Sequence, residues 1–161
     1  MNADTLSSTA IKNGTFFIEP IAEKNLTQLA QLMIKLWPEG DFDEELENCK
    51  RILRTRPEAC FLGKYNDEYI GFIQLTLRYD YVEGTSSSPV GYVEGIYVEP
   101  EYQRLGFGSK MIEKGQDWAR NQGCKEFASD ARIENDDAID FHTNIGFQEI
   151  NRVVTFAKKL N

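Results

Sequence analysis

Residues 99–111, EPEYQRLGFGSKM, join two segments of different period. Before them, 90–98 (VGYVEGIYV) is β-branched and aromatic, as a strand should be. From their end onward, Met111, Ile112, Gly115, Trp118 and Ala119 fall on one face of a helix predicted over 106–122. A strand that feeds a glycine-punctuated turn into a helix start makes an anion site. The first N–H groups of a helix have no internal partner, and the dipole is positive there. Gly106 and Gly108 allow close backbone approach, and Arg104 adds charge. The segment is neither a Walker loop nor G-x-G-x-x-G.

Outward from this loop the chain alternates. Residues 15–19 read as a strand stopped by Pro20. Leu26, Leu29, Ala30, Met33, Leu36 and Trp37 form an apolar helix face that Pro38 and Gly40 end. Residues 43–54 read as a second helix, with acids in its first turn and bases in its last. Strands are expected at 59–65 and 69–79, separated by the turn Asn66-Asp67-Glu68. Further on, a strand is expected at 124–129 and a helix at 135–144. One long strand or two short ones are expected at 147–157. Hairpins followed by helical crossovers imply a mixed sheet, in the α/β or α+β class.

At 161 residues the chain suits one domain, 16–161, behind a loose polar extension, 1–15. No apolar run approaches a membrane span. Cys49, Cys60 and Cys124 are odd in number and contain no C-x-x-C, which argues against zinc or a disulfide framework; no metal is expected. Reduced thiols suggest the cytoplasm. The net charge of −8 argues against nucleic acid as a partner and is compatible with a cationic one.

The spacing Q-x-x-G-x-G at Gln103, Gly106 and Gly108 resembles the pyrophosphate loop of the GNAT superfamily, the acetyl-CoA-dependent N-acetyltransferases. Asn135, Ala138, Phe141 and Gly146-Phe147 resemble a second segment of that family. The strand and helix order fits nearly the whole chain after residue 15. The resemblance implies a GNAT fold: a mixed sheet of six to seven strands, helices on both faces, and coenzyme A in the splay between two parallel strands. It further implies that backbone groups of Ile96, Tyr97 and Val98 hold the pantetheine arm. The amides of Arg104, Leu105, Gly106, Phe107, Gly108 and Ser109 would hold the phosphates, and Asn135 would reach the pantetheine. The implied co-substrate is acetyl-CoA.

Leu36-Trp37, LRYDYVEGT (77–85), SPVGYVEGIYV (88–98), ASD (128–130) and GFQEINRVV (146–154) resemble one branch, the aminoglycoside 6'-N-acetyltransferases. That implies an antibiotic-inactivating enzyme and a homodimer built partly from the last strands. It places Trp37, Tyr81, Glu94 and Asp130 in the acceptor pocket. The chemistry suits a polycation: an ammonium must be attracted and then deprotonated, and Glu94 and Asp130 can do both. Trp37 and Tyr81 offer stacking and cation–π contacts.

Each residue also has a plainer reading. Glu94 can be an arginine's partner, Asp130 a turn cap, and Trp37 part of a core face. The acids at 39–47 can simply serve a helix start. The chain departs from the family at two positions. His142 stands where many members carry the tyrosine that protonates the departing thiolate. It is either that acid or a core histidine. Asn151 replaces an acidic residue expected to touch substrate. Rival functions are acetylation of another polyamine or a protein terminus, and a non-catalytic acetyl-CoA-binding module.

Overall fold

The computed structural model describes residues 14–160, so nearly all of the expected extension lies outside it. The sheet contains β1 (Phe16–Pro20), β2 (Ala59–Tyr65), β3 (Glu68–Arg78), β4 (Val90–Val98) and β5 (Phe127–Ser129), in that spatial order. β1 to β4 pair antiparallel as consecutive neighbours. β5 joins β4 in parallel after a helical crossover, as a parallel connection requires. The helices are α1 (Leu26–Leu36), α2 (Phe42–Arg54), α3 (Phe107–Asn121) and α4 (Asp136–Asn144). Among the described residues no helix is long and apolar enough to cross a membrane.

Strand alternation divides the core between the two faces of the sheet. On one face Leu29 and Met33 of α1 and Cys49 and Ile52 of α2 pack on Leu62 and Phe72. On the other, Met111 and Ile112 of α3 pack on Ile73, Leu75 and Val93. Asp41 starts α2 by accepting from the N–H groups of Asp43 and Glu44 at 3.0 and 3.1 Å. Asp43, Glu44 and Glu45 occupy the first turn. Much of the acidic run therefore has a local purpose at the positive end of a helix.

Two irregularities in β4 shape the site. Gln74 pairs with Gly95 but Leu75 pairs with Val93, so Glu94 is the extra residue of a β-bulge. β5 follows β4 only from Gly91 to Val93. Past the bulge, residues 95–98 keep β3 on one side and, among the described residues, have no strand on the other.

Among the described residues the expectation of six to seven strands is corrected to five. Residues 124–126 precede β5, and 147–157 form no strand. That last stretch has strand composition, but a strand exists only where a partner supplies a ladder. Ile150 packs where a Cβ on Gly84 would come within 2.5 Å of it. Val153, Val154, Phe156 and Leu160 are exposed.

Candidate active site

The anion loop starts at the end of β4. Gln103 Nε2 donates to the Val98 carbonyl at 2.8 Å, tying the turn to the strand. Arg104 and Gly106 both take positive φ, +60° and +86°. Glycine reaches that region without a Cβ penalty, and at Gly106 it lets the chain turn into α3. No side chain caps the helix, and its first internal bond runs from Lys110 N to Gly106 O at 3.1 Å. The N–H groups of Phe107, Gly108 and Ser109 are therefore left for a ligand. Phe107 is buried and anchors the turn between Tyr65 and Tyr102.

Gly108 has a second reason to lack a side chain: a Cβ there would come to 3.0 Å from Phe141 Cε2. The two motifs read from sequence thus meet. Asn135 begins α4, its Oδ1 accepting from Ala138 N at 3.0 Å. Arg104 faces Asp137 at 3.7 Å across the open mouth, both side chains fully in solvent reach. An uncapped helix start, a positive-φ turn and an unpaired strand edge fit a phosphorylated ligand with an extended arm. Lys35 pairs with Glu99 just past β4. Glu99 also accepts from Tyr97 OH at 2.9 Å. Burial first, and then that carboxylate, push the Tyr97 phenol up to about 12.

A cavity of about 1060 Å³ opens beside the end of β5. Tyr81, Asp130, His142 and Asn151 all line it, from four separate segments of the chain. Glu83, Glu126, Glu134 and Glu149 add to its wall, as do Arg132 and Arg152, the latter paired with Glu149 at 2.7 Å. Glu94 reaches this wall through Arg78, which does line the cavity. Arg78 Nη2 donates to both carboxylate oxygens of Glu94 at 3.1 Å. Thr76 Oγ1 donates to Glu94 Oε1 at 2.5 Å. Trp37 stands apart from the cavity. It packs on the bulge, where a Cβ on Gly95 would lie 2.7 Å from Trp37 Cη2, and it flanks Phe72 at 6.1 Å.

Asp130 accepts from Tyr92 OH at 2.6 Å. Burial, and next the Asp130 bond, hold that phenol well above its usual range, so it stays a donor. His142 is held at both ring nitrogens: Nδ1 lies 2.6 Å from the Ala138 carbonyl and Nε2 lies 2.8 Å from Ser129 Oγ. A carbonyl only accepts, so Nδ1 carries hydrogen. The ring ties α4 to β5 while lining the cavity.

Arg78, Thr76, Tyr92 and Ser129 were not singled out in the sequence reading. Arg78 lies inside LRYDYVEGT, yet a strand-end arginine carries no signal until the hairpin register sets it beside Glu94. Chemically, the arrangement offers an anion seat and a free strand edge at one end of β4. At the bulge and beyond β5 it offers carboxylates for a cation.

The acetyltransferase (GNAT) family profile matches residues 23–147. The chain is 45% identical over 132 residues to an aminoglycoside N(6')-acetyltransferase type 1 of Stenotrophomonas maltophilia, covering 81% of this chain and 85% of the relative. It is 38% identical to the protein of that description from Serratia marcescens, over 84% and 94% of the two chains. Among solved structures, it resembles an aminoglycoside N-acetyltransferase AAC(6')-Iy in complex with CoA. The TM-score is 0.88 and the identity 33%, over 92% of this chain and 97% of that one. A second structure, AAC(6')-Iy with the bisubstrate analogue CoA-S-monomethyl-acetylneamine, gives 0.86 and 34%, over 91% and 99%.

Proposed function

The chain belongs to the acetyltransferase (GNAT) family, and from that premise we propose that it transfers the acetyl group of acetyl-CoA to the 6'-amine of aminoglycoside antibiotics. The observation that carries the reading is the division of labour along β4. An uncapped helix start and an unpaired strand edge lie at one end. A bulged carboxylate, linked through Arg78 to an acidic cavity, lies at the other. A polycationic amine and an activated acyl donor would meet between them. The likeness to the Stenotrophomonas and Serratia proteins and to the CoA complex supports the substrate class.

Acetyl-CoA supplies the activated acyl group; the chain supplies everything around it. The N–H groups of Phe107, Gly108 and Ser109, with Arg104, hold the phosphates. The turn residues Gln103, Leu105 and Gly106 present them, and Asn135 flanks the arm. The free edge at Ile96, Tyr97 and Val98 aligns the arm and directs N–H groups toward developing negative charge. The cavity carboxylates attract the polycation. Glu94, with Asp130 and a bridging water, takes the proton from the amine, and the neutral amine attacks directly. Tyr81 and Asn151 border the sugar from the cavity wall, and Trp37 packs behind the bulge that carries Glu94. His142 is bonded to Ser129 and is the chain's candidate proton donor to the departing thiolate. Acetylation removes a positive charge and with it a contact to nucleic-acid phosphate, which is how it would disarm a ribosome-directed drug.

The proposal includes a homodimer acting in the cytoplasm. The exposed Val153, Val154, Phe156 and Leu160 support a partner surface, and three free, buried cysteines support a reducing compartment. Light scattering coupled to gel filtration should give twice the chain mass, falling to one mass in Val154→Asp/Phe156→Asp.

The deciding experiment measures thiol release from acetyl-CoA with two aminoglycosides that differ only in a 6'-amine or a 6'-hydroxyl. Release with the amine alone is expected. Equal release with both would move the reaction to another nitrogen. No release with either, despite acetyl-CoA binding, would end the antibiotic reading.

A further inference from the structure

Arg78 ends β3 opposite Val90, with a carboxylate at the N–H edge of its guanidinium and an aromatic ring against its face. In addition to the Nη2 bonds, Nε donates to Glu94 Oε1 at 3.3 Å. Its guanidinium carbon lies 3.4 Å above the centre of the Tyr92 ring. The same ring carries the hydroxyl that donates to Asp130. One planar cation thus links the two carboxylates through a second rigid plane. Glu94 is half-buried and Arg78 more open, so the link forms part of the cavity wall.

Arg78 is one of three arginines, with Arg132 and Arg152, in the wall of a pocket meant for polycations, and its place there needs a reason. Two follow from its chemistry. A forked guanidinium fixes the plane of a carboxylate, which a single ammonium cannot do. It also offsets one of two negative charges, so that the pair presents a single net charge to the amine. Lysine would keep the offset but lose both the fork and the flat stack on Tyr92.

Resting on the acetyl-transfer reading above, we propose that Arg78 is a positioning residue for the reaction: it aligns Glu94 with Asp130 through Tyr92 and does so by its shape as well as its charge. It touches neither the acyl group nor the proton in flight. Its effect therefore belongs in turnover and not in capture of either substrate.

The test uses the full chain with acetyl-CoA and a 6'-amino aminoglycoside, comparing wild type with Arg78→Lys, Arg78→Gln and Tyr92→Phe. Arg78→Lys and Arg78→Gln should each lose about tenfold or more in kcat, with KM for acetyl-CoA unchanged and melting within about 2 °C of wild type. Arg78→Gln combined with Tyr92→Phe should lose less than the product of the single losses. Wild-type turnover in Arg78→Lys would overturn the inference, because charge alone would then suffice. A lower acceptor KM with unchanged kcat would also overturn it, leaving Arg78 as a mere repellent. So would a loss that comes only with a lowered melting temperature and both KM values raised. Failure of the wild type itself to turn over the amine would refute the underlying function, and the wild-type arm alone shows that.

Discussion

Glu94 stands out twice, as the lone charge in VGYVEGIYV and as the extra residue of a bulge. The first is visible in the sequence; the second requires a partner strand. Its arginine lies 16 positions earlier and becomes a neighbour only when β3 and β4 zip together. Thr76 and Tyr92 enter in the same way, through register. The plain reading of Glu94, an arginine's partner, is what the structure shows, and that arginine lines the cavity. Glu94→Gln and Asp130→Asn should each lower kcat/KM for the amine by about 10²–10⁴-fold, the range for a lost proton acceptor. Acetyl-CoA affinity, read by titration calorimetry, should stay put. His142 was an even choice between acid and core residue, and both of its nitrogens prove to be bonded within the chain.

Among elements, the helices were the most legible. Their apolar faces and end signals placed all four within a residue or two of their observed bounds, because a helix closes its own hydrogen bonds. The 147–157 stretch was misread because strand composition says nothing about who supplies the ladder. The start of α3 makes a sharper test of the loop. Gly106→Ala forces a Cβ onto φ +86°, which costs about 1–2 kcal/mol. Its neighbourhood is open, so melting should fall without a steric clash. Gly108→Val instead crowds Phe141. It should raise KM for acetyl-CoA several-fold while leaving a bound aminoglycoside's KM nearly unchanged, as steady-state kinetics would show.

For the whole molecule, an alkaline limit of stability follows from the partly buried phenol of Tyr97. Tyr97 titrates near 10 when unfolded and at about 12 when folded. The folded state holds that proton more tightly, so the contribution is complete below pH 10 and is lost as pH rises toward 12. Urea titrations across that window should show falling stability, with a shallower slope in Tyr97→Phe.

The parallel seam between β4 and β5 is three residues long, whereas β3 and β4 zip from Gly71 to Arg78 and beyond. The last quarter of the chain is thus fastened to the sheet by one short clasp and by side-chain packing. A ligand arm lying in the split would act as the missing strand. Occupancy and cohesion then become one equilibrium, with about 2.7 kcal/mol of stabilisation at a hundredfold excess over Kd. Hydrogen exchange should slow on acetyl-CoA binding mainly at residues 95–98 and 124–147, and limited proteolysis there should slow in step. The enzyme's lifetime would then follow the supply of its own acyl donor: a starved cell would lose the protein as well as the reaction.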